Sequence, residues 1–214
     1  MPLRSSWPPA ATARAASQVH RLACALAIIA FAANATCAEP TYKPGGVYPS
    51  RSVRLIVPHA PGEATDTIAR LMAPALSESL GQPVIVDNRA GENGVTGTDL
   101  AAKSGNQGYT LLMADTAFAA SVGRSRLPYD RAKDFIPITL VASRASGWYG
   151  LFAPAGTQWN IVTHLADHVA KALARDDVKQ QLAAVGATGV GSAPEGFQAF
   201  VTNEIAKSAK TGLQ

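Results

Sequence analysis

Cysteine is nearly missing from this 214-residue chain: only Cys24 and Cys37 carry a thiol, and both lie in the first 38 residues. Beyond residue 38 a disulfide-stapled scaffold is excluded, so the fold must rest on its own core. A cysteine nucleophile is excluded there too, and neither G-x-S-x-G nor H-E-x-x-H occurs anywhere. No apolar run reaches the roughly 20 residues of a membrane-spanning helix. The best candidate, LACALAIIAFAA at 22–33, is too short. An excess of one charge sign is missing as well. Residues 1–38 carry three Arg and no acid, so without them Lys+Arg falls from 19 to 16 against 15 Asp+Glu, and the net charge from +4 to +1. That removes the electrostatic footprint expected of a nucleic-acid partner.

What is present begins with an export signal. Arg4, Arg14, His20 and Arg21 precede the short apolar run, and Thr36 and Ala38 stand at the small positions of a cleavage site after Ala38. Cleavage after Ala35 is chemically reasonable too. No Leu sits three before either cysteine, which argues against lipid anchoring. The expected organisation is a signal peptide at 1–38, a lead-in at 39–50 with three prolines and two glycines, and an α/β lobe at 51–214. The exported part, 214 − 38 = 176 residues, is the size of one domain.

Strand and helix patterns then alternate. SVRLIVPHA (52–60) holds three consecutive large apolar residues, which suits a central parallel strand. TIARLMAPALSESLG follows at helical spacing, with Gly81 as its C-terminal cap and Pro74 expected to kink it or shift its start. PVIVDN (83–88) and YTLLMAD (109–115) read as strands, with a glycine-rich loop and a short helix TDLAAKS between them. A fourth strand ends in ITLVAS and a fifth is WYGLFAPAG. Two helices follow, the second starting at an Asp cap, and then one whose Ser192 and Glu195 have capping-box spacing. The fold class is α/β, with a mainly parallel sheet flanked by helices.

In open sheets of this kind ligands sit where loops leave the carboxyl ends of strands. Those loops are HAPGEATD, NRAGENGVTG and ADTAFA. The first leads into a helix whose free N–H groups favour an anion. Thr65 could cap that helix or donate to a ligand, and Asp66 and Gly62 could serve capping and turning alone. Gly91, Gly94 and Gly97 have neither P-loop nor G-x-G-x-x-G spacing, so no nucleotide cofactor is expected. His164 and His168 are four apart, a spacing that can hold a metal; with no third ligand evident they read as a polar shoulder. Trp148, Tyr149 and Phe152 read as strand packing. No catalytic machinery is visible, and no cofactor is expected.

The blocks YPSRSVRLIVPHAPGEATDTIARLMAPALSESLGQPVIVDNRAGENGVTG, GYTLLMAD, LPYDRAKDFIPITLVAS, WYGLFAPAGT and VKQQLAAVGATGVGSAPEGFQAFVTNEIAKSAK resemble, in this order, the periplasmic solute-binding proteins of tripartite tricarboxylate transporters, the Bug family. The resemblance implies one lobe of a type II periplasmic-binding-protein clamp. It also implies a small organic acid as ligand and membrane transporter subunits as partners. The family's ligand loops fall on Pro61, Gly62, Glu63, Ala64, Thr65 and Asp66, and on Ala114, Asp115 and Thr116. The chain departs from the family at Glu63 and Glu92, where glycine and a small residue are usual, and at His59 and Ala90, where an aromatic and proline are usual.

SRASG, between ITLVA and WYGLFA, reads locally as a hairpin. In the family this is where the chain leaves for an entire second lobe and returns. The resemblance therefore implies that the second lobe is absent near 144–147, leaving the cleft face open to self-association.

Overall fold

All but one of the residues in VRLIV are buried, and the strand they form, β1 (Val53–Val57), lies inside a six-stranded sheet. The structure is a computed structural model, which describes residues 48–120 and 127–211. The signal-peptide reading of 1–38 and most of the lead-in lie outside the described residues. After β1 come α1 (Ala64–Leu80), β2 (Val84–Asn88), a 3-10 turn (Glu92–Gly94), α2 (Val95–Ala102), β3 (Thr110–Asp115) and α3 (Thr116–Ala120). Then follow β4 (Phe135–Arg144), β5 (Gly147–Pro154), α4 (Trp159–Ala174), α5 (Asp176–Ala184), β6 (Thr188–Gly189) and α6 (Pro194–Thr211). The sheet order is β2-β1-β3-β5-β4-β6.

The α/β lobe is as expected, but the sheet is mixed rather than mainly parallel. β1 pairs in parallel with β2 and β3, whereas β3–β5, β5–β4 and β4–β6 are antiparallel. Helices cross between the first three strands and permit parallel pairing; β4 and β5 are joined directly, which forces the reversal. Successive β5 residues alternate between two cores. Tyr149, Leu151 and Ala153 face α1, α4 and α5, while Trp148 and Phe152 face α2, α3 and α6. The aromatic residues of β5 are buried, so strand packing accounts for them.

The junction closes as a hairpin in which Arg144 pairs with Gly147, leaving Ala145 and Ser146 to turn the chain. Favoured two-residue hairpin turns place positive φ at the first central position, usually on Asn, Asp or Gly. Neither residue has it; among the described residues the only non-glycines with positive φ are Glu92 and Asn93. The mismatch falls on Gly147, at φ 151°.

Three local expectations are corrected. α1 starts at Ala64 and continues through Pro74, because Met72, Ala73, Ala75 and Leu76 are buried on either side of it. Ser192 does not cap α6. Its Oγ accepts the Leu140 N–H at 3.0 Å, where a register shift in β4 frees that donor. Asp176 lies inside the first turn of α5, with Arg175 at the cap.

Candidate functional site

β2, β1 and β3 run parallel, so the loops after them leave one edge of the sheet together. The register Ile56↔Leu112 continues to put Pro58 and His59 beside Ala114 and Asp115. β5 is antiparallel to β3 with Asp115↔Tyr149, which brings the 144–147 hairpin to this same edge.

Asp115 joins the loops. Its Oδ2 accepts the Thr65 hydroxyl at 2.7 Å and faces His59 Nε2 at 3.0 Å, while Oδ1 accepts the Ala117 amide at 2.9 Å. His59 Nδ1 lies 3.4 Å from Glu63 Oε2, and Glu63 Oε1 accepts the Ala60 amide at 3.1 Å. The hydrogen bond to Asp115 raises the His59 pKa above its ordinary value, and burial opposes this without cancelling it. Burial alone would raise Asp115, but the hydrogen bonds from His59 and Thr65 hold it below the usual carboxylate range.

A measurable pH dependence follows. His59 is more basic folded than unfolded, so its contribution is complete below its ordinary 6.5 and is lost as pH rises through the raised folded value. Asp115 contributes above its ordinary 3.8 and loses this as pH falls through the lowered folded value. The pair therefore supports the fold most between about pH 4 and 6.5. In urea unfolding across pH, His59→Gln flattens the decline above that window. An unchanged decline contradicts the assignment.

Asp66 is spent internally. Its carboxylate accepts the Gly62 amide at 2.7 Å, Arg70 Nε at 2.9 Å and Asn88 Nδ2 at 2.9 Å, and it is only 2% exposed. Burial works to raise its pKa, but the bonds from Arg70, Gly62 and Asn88 outweigh that and lower it. Asp66 thus reaches back to fix the loop, and Gly62 turns it at φ 88°. Glu63 is the N-terminal cap of α1 but makes no side-chain cap bond, so the helix's first-turn amides remain for another acceptor.

The expected site residues thus fall into distinct positions. Thr65 and Asp115 are bonded to one another, and Ala114 and Asp115 line a recess with Pro58, His59 and Gly94. Thr116 Oγ1 accepts the Trp148 amide at 3.0 Å, tying the site to the hairpin. Pro61, Gly62, Glu63 and Ala64 form the exposed rim. The recess has a volume of about 10 Å³, the scale of one water. A ligand would lie over it, facing outward. His59 and Asn88 were not singled out as site residues by sequence reasoning, although each sits at the carboxyl end of a strand.

The second loop carries backbone strain. Glu92 (φ 48°) and Asn93 (φ 55°) are left-handed, a region costing about 1–2 kcal/mol for an ordinary side chain. Glu92→Gly is expected to raise the melting temperature by about 1–4 °C, after the unfolded-state entropy of glycine offsets part of the relief. A lower melting temperature contradicts this. No group of three or more His, Cys, Asp or Glu gathers for a metal among the described residues, and none of the helices there is long and apolar enough to cross a membrane.

Residues 68–147 match the model of the tripartite tricarboxylate transporter family receptor. Protein BugT of Bordetella pertussis is 45% identical over 120 residues, covering 54% of this chain and 36% of BugT. By sequence the chain spans about a third of the length of the curated relatives it matches. In structure it is similar to an R. palustris protein solved with adipate, with TM-score 0.71 and 22% identity, covering 77% of this chain and 98% of that one. It is similar also to MatC from Rhodopseudomonas palustris with bound malate, with TM-score 0.69 and 20% identity, covering 77% of this chain and all of the other. Over residues 68–147, then, the chain is similar to the receptors of the tripartite tricarboxylate transporter family.

Proposed function

We propose that this chain is an exported, periplasmic, non-enzymatic solute-binding lobe that retains half of a carboxylate clamp. The observation that carries the reading is the meeting of three loops at the carboxyl ends of β2, β1 and β3, with uncapped amides of α1 beside Thr65 and Asp115. The structural relatives solved with adipate and malate both hold dicarboxylates, which supports this ligand class. Delivery to transporter membrane subunits is the corresponding partner reading.

Absence of the second lobe is supported by two features that converge on one place. The family match stops at residue 147, at the hairpin. The turn there has none of the usual hairpin chemistry. A good pocket buries about 70–90% of its ligand, and one lobe supplies about half of that contact. A micromolar clamp, worth about −8 kcal/mol, would be left with about −4 kcal/mol, which is millimolar binding.

Titration with malate or adipate while following backbone amide resonances tests the site. Shifts centred on Gly62, Thr65 and Asp115 that saturate in the millimolar range are expected. Shifts elsewhere, or none at all, overturn the reading. Glu63 adds a carboxylate where the ligand's own would lie; like charges about 4 Å apart cost about 1–4 kcal/mol depending on the local dielectric. Glu63→Gly is therefore expected to strengthen binding about tenfold. Unchanged affinity in that variant would mean the ligand does not reach the rim of loop 1.

A further inference from the structure

On α4, away from the three loops, the rings of His164 and His168 have centroids 4.4 Å apart. Ser79 reaches across from α1, its Oγ 2.6 Å from His168 Nδ1. Tyr48 packs edge-on against His164 with centroids 5.8 Å apart, which limits that ring's rotation. Both histidines are part-exposed, so solvent ions can reach them.

We propose that His164 and His168 form a two-nitrogen site for a borderline divalent transition-metal ion, with Ser79 fixing the tautomer of His168. Two imidazoles bound at about 2.0–2.1 Å from one ion stand about 3–3.4 Å apart at their ligating nitrogens. Rings with centroids 4.4 Å apart reach that separation by small side-chain rotations. A metal-bound histidine commonly gives its other ring N–H to an acceptor, which fixes its orientation and raises its basicity. Ser79 Oγ stands where that acceptor belongs: if Nδ1 donates to it, the Nε2 lone pair is left for the ion. Asp167 and Lys171 on the same helix carry opposite charges, so the surroundings do not repel a cation outright. Two nitrogens with the remaining positions open to water suit Cu²⁺, Ni²⁺ or Zn²⁺ rather than Mg²⁺ or Ca²⁺, which prefer oxygen.

The test uses the full chain without a histidine tag, stripped with a chelator and titrated calorimetrically with Ni²⁺, Cu²⁺, Zn²⁺ and Mg²⁺. One equivalent of Ni²⁺ should bind, Cu²⁺ more tightly, and Mg²⁺ not at all. Ser79→Ala should weaken Ni²⁺ binding about tenfold, and His164→Ala or His168→Ala by more than that. If either variant fails to fold, paramagnetic Ni²⁺ added to the unaltered chain should broaden the His164 and His168 ring signals first. Unchanged affinity in a folded His164→Ala/His168→Ala double variant overturns the site, as does first broadening at His20 or His59.

Discussion

Replacing Ala145 and Ser146 with the second lobe of a full-length relative is expected to strengthen carboxylate binding about a thousandfold, from millimolar to micromolar. The site sits at the correct edge for this. Thr116 Oγ1 accepts the amide of Trp148, one residue past the pairing glycine of the hairpin, so a lobe inserted there would emerge at the edge of the sheet that carries Asp115 and Thr116. On the proposed half-clamp reading, the inserted lobe would supply the other half of the ligand's contacts. The gain is checked by calorimetry on the two chains with the same acid. Equal affinities would mean that the lobe present already makes all of the contacts.

Gly97→Val is expected to cost about 3 kcal/mol and to lower the melting temperature by about 6–12 °C. A Cβ there would stand 2.5 Å from the Arg89 carbonyl oxygen and 2.8 Å from Pro58 Cα. Both are backbone atoms, and each lies in a ligand loop, so neither yields as a flexible side chain would. Any relaxation would displace loops 1 and 2 together, and residual ligand binding should fall with stability. Gly105→Val is the control, because a Cβ there meets nothing within 4 Å. Equal melting temperatures for the two variants would contradict the close loop packing.

Much of this architecture was legible in the chain. LIV in β1 read as a buried central strand because all three side chains are apolar and consecutive, and they are fully buried. The amphipathic spacing of α4 placed Ile161, Leu165, Val169 and Leu173 on one face, all of them buried. Gly81 at φ 67° ends α1 as read.

What was not legible depended on long-range pairing. The local hairpin reading of SRASG allowed ITLVAS to run antiparallel to WYGLFA, but nothing local says that WYGLFA also pairs antiparallel with β3, and the two-residue β6 carries no pattern at all. The Ser192 cap failed because a register shift in β4, 52 residues earlier, claims its hydroxyl. The loops named from sequence do leave one edge of the sheet together, but the side-chain contacts within them were not legible. Asp66 looks like a ligand group in sequence, yet Arg70, Asn88 and Gly62 consume it. His59 was noted only as a departure from the family, because its importance rests on Asp115, which is 56 residues further along the chain (115 − 59).

A thermal melt of the full chain with di- and tricarboxylates at about 10 mM tests the central claim most directly. A ligand with a millimolar dissociation constant adds about 1.4 kcal/mol at that concentration, which raises the melting temperature of a domain this size by about 3–6 °C. The predicted result is such a shift with one acid, above that of a salt of equal ionic strength and weakened by Thr65→Ala. No acid-specific shift, or a shift already saturated at micromolar acid, would contradict the account of a half-clamp.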